Sequence, residues 1–160
     1  MGEKHLVSFS MVFLLVAVFI SQAQGSALCD EAAFPALCRS TVKGASDPTS
    51  ALKITIEHLI FETKRAKDSS LKIGSLKSLG VCKQNFDDAV DDLQSSLAYM
   101  QKKDIPSLKI NLSAALTFYS TCDDAVVESG DQKKASTVLS NDLLLQHLAA
   151  NCLHLSTLLK

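Results

Sequence analysis

The stretch LGVCKQNFDDAVDDLQSSLAYM, residues 79–100, places Leu79, Cys82, Phe86, Ala89, Val90, Leu93, Leu97 and Met100 at steps of three and four. That spacing puts all of them on one side of an α-helix as a continuous apolar stripe. The stripe ends at Lys102-Lys103, two cations suited to the negative end of a helix dipole. Asp104, Ile105 and Pro106 then make a corner, because proline fits the first turn of a new helix.

The same period extends in both directions. Downstream, Leu108, Leu112, Ala115, Tyr119, Cys122 and Val126 share a face, and Gly130 stops that helix. A last helix is expected from about residue 134 to 159, with Val138, Leu145, Leu148, Cys152, Leu155 and Leu159 in register. Upstream, Leu52, Ile56, Leu59 and Ile60 mark a helix over about 49–67. Asp68-Ser69-Ser70 loosens its pattern, and Gly74 and Gly80 interrupt it again. Gly44 and the Ser46-Asp47-Pro48-Thr49 cluster mark a turn, and residues 29–43 read as short helical pieces around Pro35. No convincing strand appears. Short corners make sequential helices antiparallel, so the expected fold is all-α: an up-down-up-down four-helix bundle with an N-terminal helical hairpin extension.

The first residues read differently. Lys4 precedes a nearly unbroken apolar run, residues 6–20, followed by Ser21, Gln22, Ala23, Gln24, Gly25 and Ser26. Charge, apolar core and small-residue exit is the order of a secretory signal peptide. The run is short for a bilayer-spanning helix, which needs about 20 residues, so an uncleaved anchor is the weaker alternative. The domain division is therefore a signal peptide over 1–25 and one domain over 26–160, with no membrane association in the mature form.

Five cysteines suit an oxidising compartment: Cys29, Cys38, Cys82, Cys122 and Cys152. Two bridges and one leftover thiol are expected. Spacing does not fix the pairing. Cys29 and Cys38 are close neighbours around Pro35, and a local bridge there leaves Cys82 and Cys122 as the long-range pair. Those two lie near adjacent ends of antiparallel helices, each on its own apolar stripe. Cys152 is then the free thiol. The formal charge of −1 leaves no basic footprint for a nucleic-acid partner.

Nothing in the chain assembles an active site, and no cofactor is implied. There is no G-x-S-x-G, no H-E-x-x-H and no glycine-rich phosphate loop. His58, His147 and His154 each sit alone on a predicted helix. His147 and His154 share roughly one face with Cys152 between them, but a metal set lacks its fourth ligand. Asp87, Asp88, Asp91 and Asp92 form an acidic cluster. With Phe86 at the centre of the buried stripe, Gln84, Asp88, Asp91 and Ser95 fall on the opposite face. An acidic helix face ordinarily means only solubility; the functional reading is a ridge that docks on a basic enzyme. Catalytic carboxylates are a weaker reading, because an exposed face offers no desolvation to separate their pKa values. Asn111-Leu112-Ser113 is an N-glycosylation acceptor, although it falls inside a helical pattern that could block it.

These residues carry a resemblance. Cys29-Asp30-Glu31-Ala32-Ala33-Phe34-Pro35-Ala36-Leu37-Cys38 resembles the opening of the plant pectin methylesterase and invertase inhibitors, with an aromatic-Pro pair shortly before the second cysteine. The segment from Val81-Cys82 through Phe86, Ala89 and Leu93 is similar to the family's third-cysteine region. Leu112-Ser113-Ala114-Ala115-Leu116-Thr117, followed by Thr121-Cys122-Asp123-Asp124, is similar to its most recognisable stretch. The departures are Ala32 where Thr is common, Val81 where an acidic residue is common, and Asn111 and Val126 where aromatics are common. They touch the transfer of enzyme-contacting residues and leave the fold unaffected.

The resemblance implies the pairs Cys29–Cys38 and Cys82–Cys122 and an N-terminal hairpin packed on the bundle. It implies a non-enzymatic, secreted protein that blocks an enzyme's substrate cleft by stoichiometric binding. Pectin methylesterase (pectinesterase) in the cell wall is the expected target, and the acidic ridge favours it. Cell-wall or vacuolar acid invertase is the alternative, because one scaffold serves both and a fold does not fix a target. A vacuolar target would imply a vacuolar location. A reading from another class is a secreted structural or signalling helical module without inhibitory activity.

Overall fold

The computed structural model describes residues 27–160, and the leader expected over 1–25 lies outside them. The described chain forms five helices: α1 Pro35–Thr41, α2 Pro48–Leu71, α3 Lys77–Gln101, α4 Ile105–Glu128 and α5 Ser136–Thr157. No strand occurs among the described residues. Helices α2 to α5 pack as a ring, each on its two neighbours, while α1 rests against α2 and α5. This is the expected four-helix bundle with an N-terminal extension.

Each boundary has a local cause. Asp47 caps α2: its Oδ1 accepts from the Thr49 and Ser50 amides at 2.9 and 3.0 Å, ahead of Pro48. A capping carboxylate satisfies amides that have no partner within the first turn. Asp104 does the same for α4 by accepting from the Ser107 amide at 3.2 Å. Between α3 and α4, Lys103 takes a left-handed backbone conformation, φ 58°. After α4, Gly130 takes φ 75°, the region in which glycine carries no steric penalty.

Two expected breaks do not occur. Asp68, Ser69 and Ser70 lie inside α2, which runs on to Leu71. Ser70 is buried, and its hydroxyl donates to the Lys67 carbonyl at 2.6 Å, so its polarity is satisfied within the helix. Gly80 lies inside α3, which begins at Lys77. A helical glycine costs about 1 kcal/mol, and burial of Leu79, Cys82 and Phe86 around it outweighs that. The N-terminal segment holds one helix rather than several pieces, and α5 is slightly shorter at both ends than expected.

The stripes meet as their spacing requires. All six apolar positions named on α4 are buried at 0 %, as are Leu52, Ile56 and Leu59 of α2. Phe86 and Tyr119 pack with ring centroids 6.4 Å apart. Cys82 is bonded to Cys122 across α3 and α4, and Cys29 to Cys38 across the N-terminal extension. Cys152 is free and buried, and burial pushes its thiol pKa far up, so it behaves as a small apolar side chain.

Candidate functional site

The outward side of α3 is built by the same period that buries its inner side. Gln84 and Asp91 are exposed, and Asp88 and Ser95 are half-buried. They follow one another along the helix at steps of four, three and four. The four acidic residues of this helix do not act as one cluster. Asp87 is gripped by Lys67, which reaches across from α2, and by Lys83 at 3.1 Å. The Lys67 hydrogen bond, helped by Lys83, holds its carboxyl below the usual range. Asp92 behaves oppositely: partial burial raises its pKa first, and the nearby charges of Asp88 and Asp91 raise it further. The acidic ridge is therefore Asp88, Asp91 and Asp92, with Asp87 withdrawn into an ion pair.

The histidines have other work. His147 stacks on Phe34 with ring centroids 3.6 Å apart. His154 Nε2 lies 3.0 Å from the Leu28 carbonyl oxygen. Between them on the helix, Asn151 accepts from the Phe34 amide and donates to the Phe34 carbonyl, both at 3.1 Å. These three side chains of α5 clasp the N-terminal extension onto the bundle. His58 is half-buried on α2. Among the described residues no group of three or more His, Cys, Asp or Glu side chains could hold a metal ion. Asn111 is half-buried in α4, with Leu112 buried and Ser113 exposed.

Two features were not singled out by sequence reasoning. Asn151 lies three residues after Leu148 and four before Leu155, on the core register of α5, and is buried. Asp142 lies four residues after Val138 and three before Leu145, and it too is fully buried. The period alone flags both: a polar residue at a stripe position demands a partner. Among the described residues, one surface hollow of about 310 Å³ is lined by Ser70, Leu76, Leu79 and Lys83 among others, and these gather no catalytic constellation.

Fold and bonds together define a small, disulfide-stapled helical bundle. No described helix is long and apolar enough to cross a membrane. The chain belongs to the plant invertase/pectin methylesterase inhibitor family, whose model matches residues 24–155. The family is one of inhibitors, not of enzymes. A curated relative, pectinesterase inhibitor 12 of Arabidopsis thaliana, is 32 % identical over 102 residues, covering 63 % of this chain. That match spans 55 % of the relative's own length. A crystal structure of a mutant form of an Arabidopsis pectin methylesterase inhibitor superimposes with a TM-score of 0.72 at 19 % identity. It covers 86 % of this chain and 97 % of the neighbour. A second crystal structure, of a pectin methylesterase inhibitor from Arabidopsis thaliana, gives 0.64 at 19 % identity and the same coverage. At that identity the superpositions speak for the fold.

Proposed function

We propose that the protein is a secreted inhibitor that binds and blocks pectin methylesterase as a stoichiometric complex. The observation that carries this reading is the carboxylate ridge on α3. Among the described residues Asp88 and Asp91 form no ion pair, while the neighbouring cations Lys67 and Lys83 are committed to Asp87. An enzyme acting on a polyanion presents a basic groove, and an acidic ridge answers it. Charges so placed speed association and make it sensitive to salt. Residues 1–25 serve as the secretory leader in this reading, and the mature chain begins near Ser26 in the cell wall. N-terminal sequencing of secreted protein checks this; material beginning at Met1 contradicts it.

The functional test mixes the mature protein with pectin methylesterase and, separately, with acid invertase, and follows both activities. Loss of esterase activity at one-to-one stoichiometry is the expected outcome. Loss of invertase activity alone reassigns the target, and inhibition of neither points to a non-inhibitory module. The double variant Asp88→Lys, Asp91→Lys then tests the ridge. Exposed ion pairs are worth only about 0–1 kcal/mol each, so the fold stays intact by circular dichroism. The association rate at low salt should fall by about tenfold or more, with little change at high salt. An unchanged low-salt rate moves the docking face elsewhere on the bundle.

A further inference from the structure

Helices α4 and α5 meet over two carboxylates that no cation answers among the described residues. Asp142 of α5 is 0 % exposed, and its Oδ2 accepts from Gln146 Nε2 at 2.9 Å. The same amide nitrogen donates to Asp123 Oδ2 of α4 at 3.2 Å. The other oxygen of each carboxyl, Asp142 Oδ1 and Asp123 Oδ1, is buried with no hydrogen-bond partner among the described residues. One NH2 group thus serves two acids. With both ionised, the seam would hold two like charges and two orphaned acceptor oxygens away from water. With a proton on the pair, one charge disappears and a hydroxyl donor becomes available to it.

We propose that Asp142, Gln146 and Asp123 form a proton-gated clamp between α4 and α5, closed when the pair holds a proton and loosened when it does not. The surroundings leave the pair to itself. Tyr119 of α4 feels the Asp142 charge, but its own pKa is pushed up and it stays neutral. Asp124 adds repulsion at Asp123. On α2, Glu62 pairs with Arg65 and Lys53 with Glu57, and in the N-terminal segment Asp30 pairs with Arg39. Among the described residues neither carboxylate of the clamp has an ion-pair partner.

The sign follows from linkage. Burial, then the Asp123 charge, pushes the Asp142 carboxyl up from 3.8 to about 8, against the lowering effect of Gln146. Burial also raises Asp123. A carboxyl with a raised pKa keeps its proton in the folded chain where the unfolded chain has lost it. The clamp is therefore neutral for stability below about pH 4. Each pH unit above that weakens folding by up to tenfold until about pH 8, where both states are ionised. The carboxylates with lowered pKa values, Asp47, Asp87 and Asp131, act in the other direction and in another window. Their contribution is present above the unfolded pKa near 3.8 and is lost as the pH falls below it.

The experiment uses the chain of residues 1–160 expressed in a secretory host, as wild type, Asp142→Asn and Asp123→Asn. Urea unfolding is measured from pH 4 to pH 9. The wild-type folding constant should fall with pH by up to tenfold per unit, while Asp142→Asn should be nearly flat across that window. Asp123→Asn should lie between them. Carbon-detected NMR of the wild type should show the Asp142 carboxyl titrating well above the ordinary carboxylate range. Hydrogen exchange, corrected for the intrinsic rate, should show amides of the first half of α5 losing protection as pH rises. An Asp142→Asn slope equal to that of wild type overturns the clamp. If that variant does not fold, an Asp142 carboxyl that titrates near pH 4 in the wild type overturns it equally.

Discussion

The two flanks of α4 are built on opposite principles. Towards α3 the seam is dry, closely packed and covalent: Cys122 is bonded to Cys82, and Phe86 packs against Tyr119. Towards α5 the seam carries Asp123, Asp142 and Gln146, with two carboxylate oxygens left without partners. One flank is joined by a bond that does not titrate. The other is conditional on a proton. A single helix thus joins a permanent seam to an adjustable one, and the bundle's looser side is the side that also carries the N-terminal extension, through His147, Asn151 and His154.

The most direct way to break this contrast is to remove the covalent link. Replacing Cys82 and Cys122 together by Ala should lower stability by about 4 kcal/mol, the chain-entropy value for a loop of this size. Urea unfolding under oxidising conditions measures it. Cys152→Ala, which removes a buried thiol with no bond to lose, should cost only about 1 kcal/mol. Equal losses for the two changes would mean that the dry seam owes its strength to packing and not to the bridge.

The complementary change sharpens the other flank. Asp142→Leu fills the same register as Val138 and Leu145 with an apolar side chain, and Gln146 keeps Asp123 as its acceptor. Replacing a buried, poorly answered carboxylate by a hydrophobe removes its desolvation penalty, against the extra volume that Leu brings to the seam. We expect the Leu variant to exceed wild type at pH 8, by up to the tenfold per unit that wild type loses above pH 4, with little change at pH 4, where Asp142 is already neutral. A loss of similar size at both pH values would show a seam too tightly packed for Leu, with the acid tolerated for its shape.

The two flanks also differ in how readable they were. The dry seam follows from period alone, because Leu79, Cys82, Phe86 and the α4 stripe from Leu108 to Val126 are apolar but for the hydroxyl of Tyr119. Pro106 and Gly130 mark its ends by backbone chemistry. The polar seam was passed over because a hydrophobic stripe is traced by skipping polar residues. Asp142 and Asn151 occupy stripe positions and were skipped for that reason. On the outer face of α3, the direction of Gln84, Asp88, Asp91 and Ser95 was legible from the same period. The division of the acids was not, since the partner of Asp87 is Lys67, twenty residues away and on another helix.

The smallest expected effect lies where α4 reaches past both seams to α2. The Tyr119 hydroxyl and Thr63 Oγ1 are 2.7 Å apart, both fully buried. Thr63 Oγ1 also lies 2.7 Å from the Leu59 carbonyl oxygen, which can only accept. The single threonine proton is therefore committed to Leu59, and Tyr119 is the donor to Thr63. That polarity makes the two ends of the bond unequal. Tyr119→Phe removes a donor and leaves Thr63 with its own proton still satisfied, so the cost should be about 1 kcal/mol. Thr63→Val removes the acceptor and strands the tyrosine hydroxyl in the core, at about 1–3 kcal/mol. Because burial keeps the tyrosine neutral throughout the accessible pH range, neither cost should change between pH 4 and pH 8, in contrast to any change at Asp142. Urea unfolding of both variants at the two pH values decides it. A Tyr119→Phe penalty equal to or larger than that of Thr63→Val would reverse the assigned direction of the bond.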